Sequence, residues 1–168
     1  FSHFLHFSSI VAKRIGLSSN RAIVSETIST TDVNENSKQL DGLHATLDKL
    51  VHHKEKSTVK GANLHAFIYF ISINNLSDRK VTLLGRKWIL SNSDGTTTVV
   101  EGEKIVGETP TVDPGDTFSY NSYHVTHLSA IASGSFHGVD ESGHKIHVKM
   151  PPFQLDVPEE EKEGEGLS

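Results

Sequence analysis

Three groups of residues have the side chains and spacing to do chemistry. Eleven histidines lie within 168 residues, with His52-His53, His124-x-x-His127 and His144-x-x-His147 as the close sets. Zinc or cobalt needs three or four ligands converging at about 2 Å, and Asp48 or Glu55 could add a carboxylate. Strand positions three apart face opposite sides, so His144 and His147 should not chelate one ion. His124 and His127 fall in an expected loop and stay open as an alternative metal pair. The second group is Gly102-Glu103-Lys104-Ile105-Val106-Gly107, in which Gly102, Lys104 and Gly107 form a candidate ligand-binding loop for phosphate. Such a cradle needs amides converging at a helix N-terminus after a strand. Glu108-Thr109-Pro110 leads into a turn instead, which favours a loop that merely turns the chain. The third group, Tyr120, Tyr123 and His124, offers aromatic and hydrogen-bonding contacts suited to a protein partner. No nucleophile elbow and no HExxH motif accompanies them, so no catalytic residue is assigned and an enzyme is not expected.

These groups must be positioned by short strands. Leu43 to Val51 alternates Leu43, Ala45 and Leu47 with His44, Thr46 and Asp48, a period of two. His65 to Asn75 places Phe67, Tyr69, Ile71 and Ile73 on one face and Ala66, Ile68 and Phe70 on the other, as a strand covered on both faces would. Val81 to Ser91 continues the pattern, with Gly85 marking a bulge or close approach. Within it Trp88 should pack in the core, with the stem of Arg86 covering its edge. Asp94-Gly95 reads as a hairpin turn and Asp113-Pro114-Gly115 as a second turn. Thr117–Asn121, Ala130–Val139 and His144–Met150 complete about seven strands, and Pro151-Pro152 should stop the last one. The fold class expected is all-β, an immunoglobulin-like or fibronectin type III-like antiparallel β-sandwich.

Residues 1–40 read as a poorly ordered N-terminal extension, 41–156 as the sandwich domain and 157–168 as a disordered acidic tail. The first 25 residues carry Lys13, Arg14 and Arg21 without an acid, a composition shared by organellar transit peptides and by mis-started extensions. The formal charge of −5 resides entirely in Asp156 to Ser168, where six acids face the single Lys162. The remainder is balanced, which argues against nucleic acid and an anionic membrane as partners. No residue is cysteine, which excludes disulfides and thiolate metal sites. The cytoplasm is the expected compartment, with an organelle as the alternative, and the oligomeric state is left open.

From Leu43 to Val157 the chain resembles the ApaG domain family. The resemblance rests on ordered segments: Phe67 to Asn75, Gly85-Arg86-Lys87-Trp88-Ile89-Leu90, Asp94-Gly95, Val106 to Pro110, Pro114 to Tyr120 and Met150 to Leu155. It implies a fibronectin-like sandwich, a genetic association with cobalt and magnesium efflux, and, in eukaryotic members such as a polymerase-delta-interacting protein and an F-box ubiquitin-ligase subunit, a protein-interaction module. The chain departs from the family's Gly-x-Gly-x-x-Gly stretch at Lys104, where the middle glycine stands, and has Lys87 where histidine is frequent. The function expected is therefore a non-catalytic module that binds a protein partner and needs no cofactor. The alternative is a sensor of a divalent metal or phosphate ligand.

Overall fold

Runs of β-branched and aromatic residues at period two, cut by Asp-Gly, Pro-Gly and Asn-rich turns, give nine strands among the described residues. The structure, a computed structural model, describes residues 37–55 and 63–159. The strands are β1 Lys38–Gln39, β2 Leu43–Glu55, β3 Leu64–Asn75, β4 Val81–Asn92, β5 Thr97–Glu103, β6 Thr111–Val112, β7 Thr117–Thr126, β8 Ala130–Asp140 and β9 Lys145–Leu155. One sheet has the order β1-β9-β8-β4-β5, with β6 also on β4, and the other has the order β2-β3-β7. The chain forms the all-β sandwich that the alternation indicated. The two strands beyond the seven expected are the two-residue β1 and β6, too short to show a period. β1 pairs with β9 in parallel, whereas every other pair of strands is antiparallel.

The core lies between the sheets and is built from Phe67, Tyr69, Ile71 and Ile73 of β3 against Leu83, Trp88 and Leu90 of β4, Phe136 of β8 and Val148 and Met150 of β9. On β3 the other face is also buried at Ala66 and Ile68, so the two-sided covering expected for this strand is present. Three bulges keep the core in phase. Leu47 and Leu50 both turn inward although three apart, because the register against β3 shifts at Asp48. Leu83 and Trp88, five apart, both point inward because Leu84 is skipped in the pairing with β8. Met150 and Phe153 do the same across Pro151-Pro152. The prolines thus do not stop the last strand. Each bulge inserts an unpaired residue, and two prolines without N–H groups are tolerated where the ladder is already interrupted.

Ser37 to Leu40, within the expected extension, is held on β9: Ser37 Oγ bonds His147 Nδ1 at 2.8 Å and Leu40 packs on the core. Val157, within the expected tail, donates its N–H to Ser129 Oγ at 2.9 Å and also packs there. Residues 1–36 and 160–168, on which the rest of those expectations falls, lie outside the described residues.

Asn75 joins the turns at one end of the sandwich. It is fully buried, and its amide donates to the carbonyls of Arg79 and Val112 at 2.8 and 2.9 Å while its oxygen accepts from Ser77 N and Oγ. Its backbone is bonded to Asp116 O and Gly115 N. Buried polar groups deprived of a partner cost about 1–3 kcal/mol each. Asn75→Ala is therefore expected to lower stability by about 2–4 kcal/mol. A drop below about 0.5 kcal/mol in urea denaturation would show that the turns close without it.

Candidate functional site

β4 carries the centre of the site. Trp88 is inward, 5% exposed, with its six-membered ring laid on Gly134 so closely that a Cβ there would stand 2.5 Å from Trp88 Cζ3. Tyr69 from the facing sheet, Phe136 and Phe153 surround it at ring separations of 5.2, 6.1 and 5.8 Å. Two residues back on the same face, Arg86 carries its guanidinium to the loop after β5. Its Nη1 donates to the carbonyl of Lys104 at 2.6 Å, and a Cβ on Gly102 would be 2.9 Å from that nitrogen. Glycine at 102 therefore makes room for the guanidinium.

The loop beyond Gly102 is folded on itself. Lys104 N donates to Leu84 O at 2.7 Å, Ile105 N to Glu108 O at 2.7 Å and Glu108 N back to Ile105 O at 3.1 Å, while the Ile105 side chain, 1% exposed, plugs into the core. Lys104, Val106 and Gly107 have φ of 68°, 50° and 85°. The amides of Lys104, Ile105 and Glu108 are thus already spent inside the protein. Lys104, in the place of the family's middle glycine, occupies the left-handed region that glycine adopts without strain.

β7 supplies the other side. Its register against β3 sets Tyr120 opposite Ile71 and His124 opposite Phe67, both turned inward, and Tyr123 opposite Ile68 on the outer face. Tyr120, Tyr123 and His124 therefore do not share one surface, because Tyr123 is an odd number of positions from each of the others on a strand with no bulge. Tyr120 stacks edge-on to Phe136 at 6.0 Å. Burial pushes its phenol well above the ordinary tyrosine range, with Tyr69 acting the same way and the Arg86 cation against it. Burial also raises Tyr69, opposed by its hydrogen bond with Ser122 and by Arg86. Trp88 Nε1 and Tyr120 Oη are buried without a hydrogen-bond partner among the described residues. Tyr69 thus lies against Trp88, and the Arg86 cation, held by the loop carbonyl of Lys104, acts on both Tyr69 and Tyr120 between the sheets.

The histidines do not converge on an ion. His124 is lowered to about 4 by burial, whereas His127 lies in the turn after β7 with Nδ1 against Asn63 O at 3.0 Å. His144 lies against Asp140 and His147 against Ser37. Among the described residues no group of three or more His, Cys, Asp or Glu could hold a metal ion. Instead His52 and His65 share a hydrogen bond of 2.8 Å between Nε2 and Nδ1. The alternation could not show this pair, since the bulge at Asp48 is what puts His52 on the face of Phe67 and His65. Asp48 itself accepts from Ser72 Oγ and Thr46 Oγ1, so the shallow depression of about 330 Å³ beside it holds a carboxylate that is already satisfied.

A sequence model of the ApaG domain family matches residues 55–140. The chain belongs to that family. Over 93 residues it is 38% identical to Protein ApaG of Vibrio cholerae, covering 55% of this chain and 74% of that one. Over 119 residues it is 37% identical to Protein ApaG of Deinococcus radiodurans, covering 70% and 91%. An X-ray structure of a structural-genomics target superposes with a TM-score of 0.61 at 28% identity over 70% of this chain and 88% of that chain. A Bordetella pertussis protein named ApaA gives 0.57 at 23% identity, covering 73% and 98%, a likeness of fold alone. The Arg86-Trp88 strand and the loop at Gly102 both lie within the matched ApaG domain.

Two outcomes follow from this ApaG geometry. A left-handed residue other than glycine costs roughly 1–2 kcal/mol, while glycine loosens the unfolded chain by up to about 1 kcal/mol. With φ at 68° the relief of strain outweighs that loosening, and Lys104→Gly is expected to gain up to about 1 kcal/mol in chemical denaturation. A clear loss would show that the lysine is held there by something other than the backbone. His124, lowered from its usual 6.5 to about 4, favours the neutral ring in the folded state. Its contribution is complete above about pH 6.5 and is lost as pH falls toward 4, by up to about 3 kcal/mol. Stability curves between pH 7 and 4 should flatten by that amount in His124→Phe, and an unchanged slope would place the acid sensitivity on other groups.

Proposed function

We propose that this ApaG domain is a non-catalytic module that binds a protein partner along the flank where the loop at Gly102 meets β7. The observation that carries the reading is Arg86. It is a cation on the inner face of the sandwich, bonded to one carbonyl and paired with no carboxylate among the described residues. Beside it stand the Gly102 to Glu108 loop and Tyr120. Lys104 and Glu108 are exposed at the rim, and Trp88 and Tyr120 lie beneath, an arrangement of polar rim and aromatic floor common at protein interfaces. A metal or phosphate sensor is less well supported, because the amides of Lys104, Ile105 and Glu108 are bonded within the protein and no ligand cluster occurs among the described residues.

Photo-reactive benzoylphenylalanine in place of Thr98, on the inner side of β5, is expected to trap a partner from lysate. The same group in place of Ile131, exposed on the outer face of β8, should not. Trapping only at Ile131 would move the surface to the opposite face. In parallel, Co²⁺, Mg²⁺, Zn²⁺ and pyrophosphate should leave the melting temperature unchanged, whereas a ligand at a hundred times its Kd would add about 2.7 kcal/mol.

A further inference from the structure

The edges of the two sheets are protected unequally. A strand at an edge exposes unpaired amides and carbonyls, and folded proteins blunt such edges with brevity, charge, proline or a bulge. β1 has two residues, and β9 beyond it carries Lys149 and the bulged prolines. β2 carries its bulge at Asp48 together with Lys49 and Lys54, and β5 carries Glu101 and Glu103. β7 has none of these. Thr117–Thr126 pairs with β3 through ten residues without a register break and contains no proline and no Asp, Glu, Lys or Arg. Among the described residues no strand pairs with its other side.

What flanks this edge is specific. β2 packs on β9, at the far side of the larger sheet from β5, so β7 ends the smaller sheet on the side of β4 and β5. Thr98, Val100 and Gly102 of β5 are accordingly only half-buried, a ledge on the same side as the inward Tyr120, Ser122 and His124. Arg86 stands at the root of the ledge, beneath Gly102. Beside it the buried Tyr120 hydroxyl lacks a partner among the described residues.

We propose that β7 is an acceptor edge for an extended, acidic segment of a partner protein, which adds as a strand along Thr117–Thr126 and sets a carboxylate against Arg86. The proposal rests on the binding-module reading and names its partner class. Backbone pairing along an uncharged edge supplies affinity with little demand on sequence, and alternate side chains of the added strand face the ledge. There the half-buried Val100 accepts small or apolar groups, and the Arg86 guanidinium, paired with no carboxylate among the described residues, selects the acid, since arginine and carboxylate match in charge and hydrogen-bond geometry.

The test uses random twelve-residue peptides displayed on phage and selected on the full chain, the best binder then being measured by fluorescence anisotropy. Selected peptides are expected to carry Asp or Glu at one fixed position. Converting that acid to its amide should weaken binding at least about tenfold, Arg86→Gln should do the same, and the two changes together should cost no more than either alone. N-methylation of successive peptide residues should abolish binding at alternate positions only, the signature of an added strand, and this scan leaves the protein unaltered. Binding without that alternation, or selected peptides without an acid, would overturn the proposal. So would concentration-dependent dimers in sedimentation with β7 amides protected from exchange, which would put a second copy on the edge. If no peptide is selected while the group at Thr98 still traps a partner, strand addition falls and the binding module stands; if both fail, both fall.

Discussion

The contact on which the rest of the sandwich depends is the face of Trp88 lying on the bare backbone of Gly134. Any side chain at 134 would lift the indole into the opposite sheet. Because Trp88 stays low, Tyr69 can cross from β3 to within 5.2 Å of it, and Phe153 can close the side, provided that the double proline resets the phase of β9. Burial of aromatic groups of this size stabilises by about 1.5–3 kcal/mol each, so the cluster accounts for a sizeable part of what holds two otherwise separate sheets together. Trp88 also dictates the direction of Arg86, two residues away on the same strand. The cation is on the inner face because the tryptophan is.

That placement links packing to recognition. Arginine is rarely turned toward a core unless something compensates its charge, and here one nitrogen is held by the Lys104 carbonyl while Gly102 yields space. The loop is therefore shaped by the needs of Arg86 and of the buried Ile105, and its glycines are explained without any phosphate. Nothing in this account requires a reaction. It requires a charge that two buried phenols and an indole hold in place beneath the rim of the loop.

Much of this was legible in the residues. Alternation located the long strands, Asp94-Gly95 and Asp113-Pro114-Gly115 marked their turns, and Gly85 was recognised as a bulge or close approach, which the shift at Leu84 and the ring of His137 over Gly85 both explain. What alternation could not convey was phase across an interruption. A period of two assigns His52 and Phe153 to faces that the bulges at Asp48 and Pro151-Pro152 reverse, and it hides the His52–His65 contact. Tyr123 was grouped with Tyr120 and His124 by nearness in sequence, a criterion that ignores the period altogether. The strain at Lys104 was invisible for a different reason: φ is fixed by how the loop closes between β5 and β6, not by the residue that occupies it.

The parallel pairing of β1 with β9 has a mechanical consequence. The first and last strands of residues 37–159 run side by side in the same direction, with Lys38 opposite Ile146 and Gln39 opposite His147. Tension drawn outward through Ser37 and through Val157 pulls these strands past each other along their length. Their hydrogen bonds are loaded together in shear instead of being peeled one at a time, with the Ser37–His147 bond and the seating of Leu40 loaded alongside them. A contact of two residues thus acts as a latch against stretching, in a direction where an antiparallel pair of the same length would unzip.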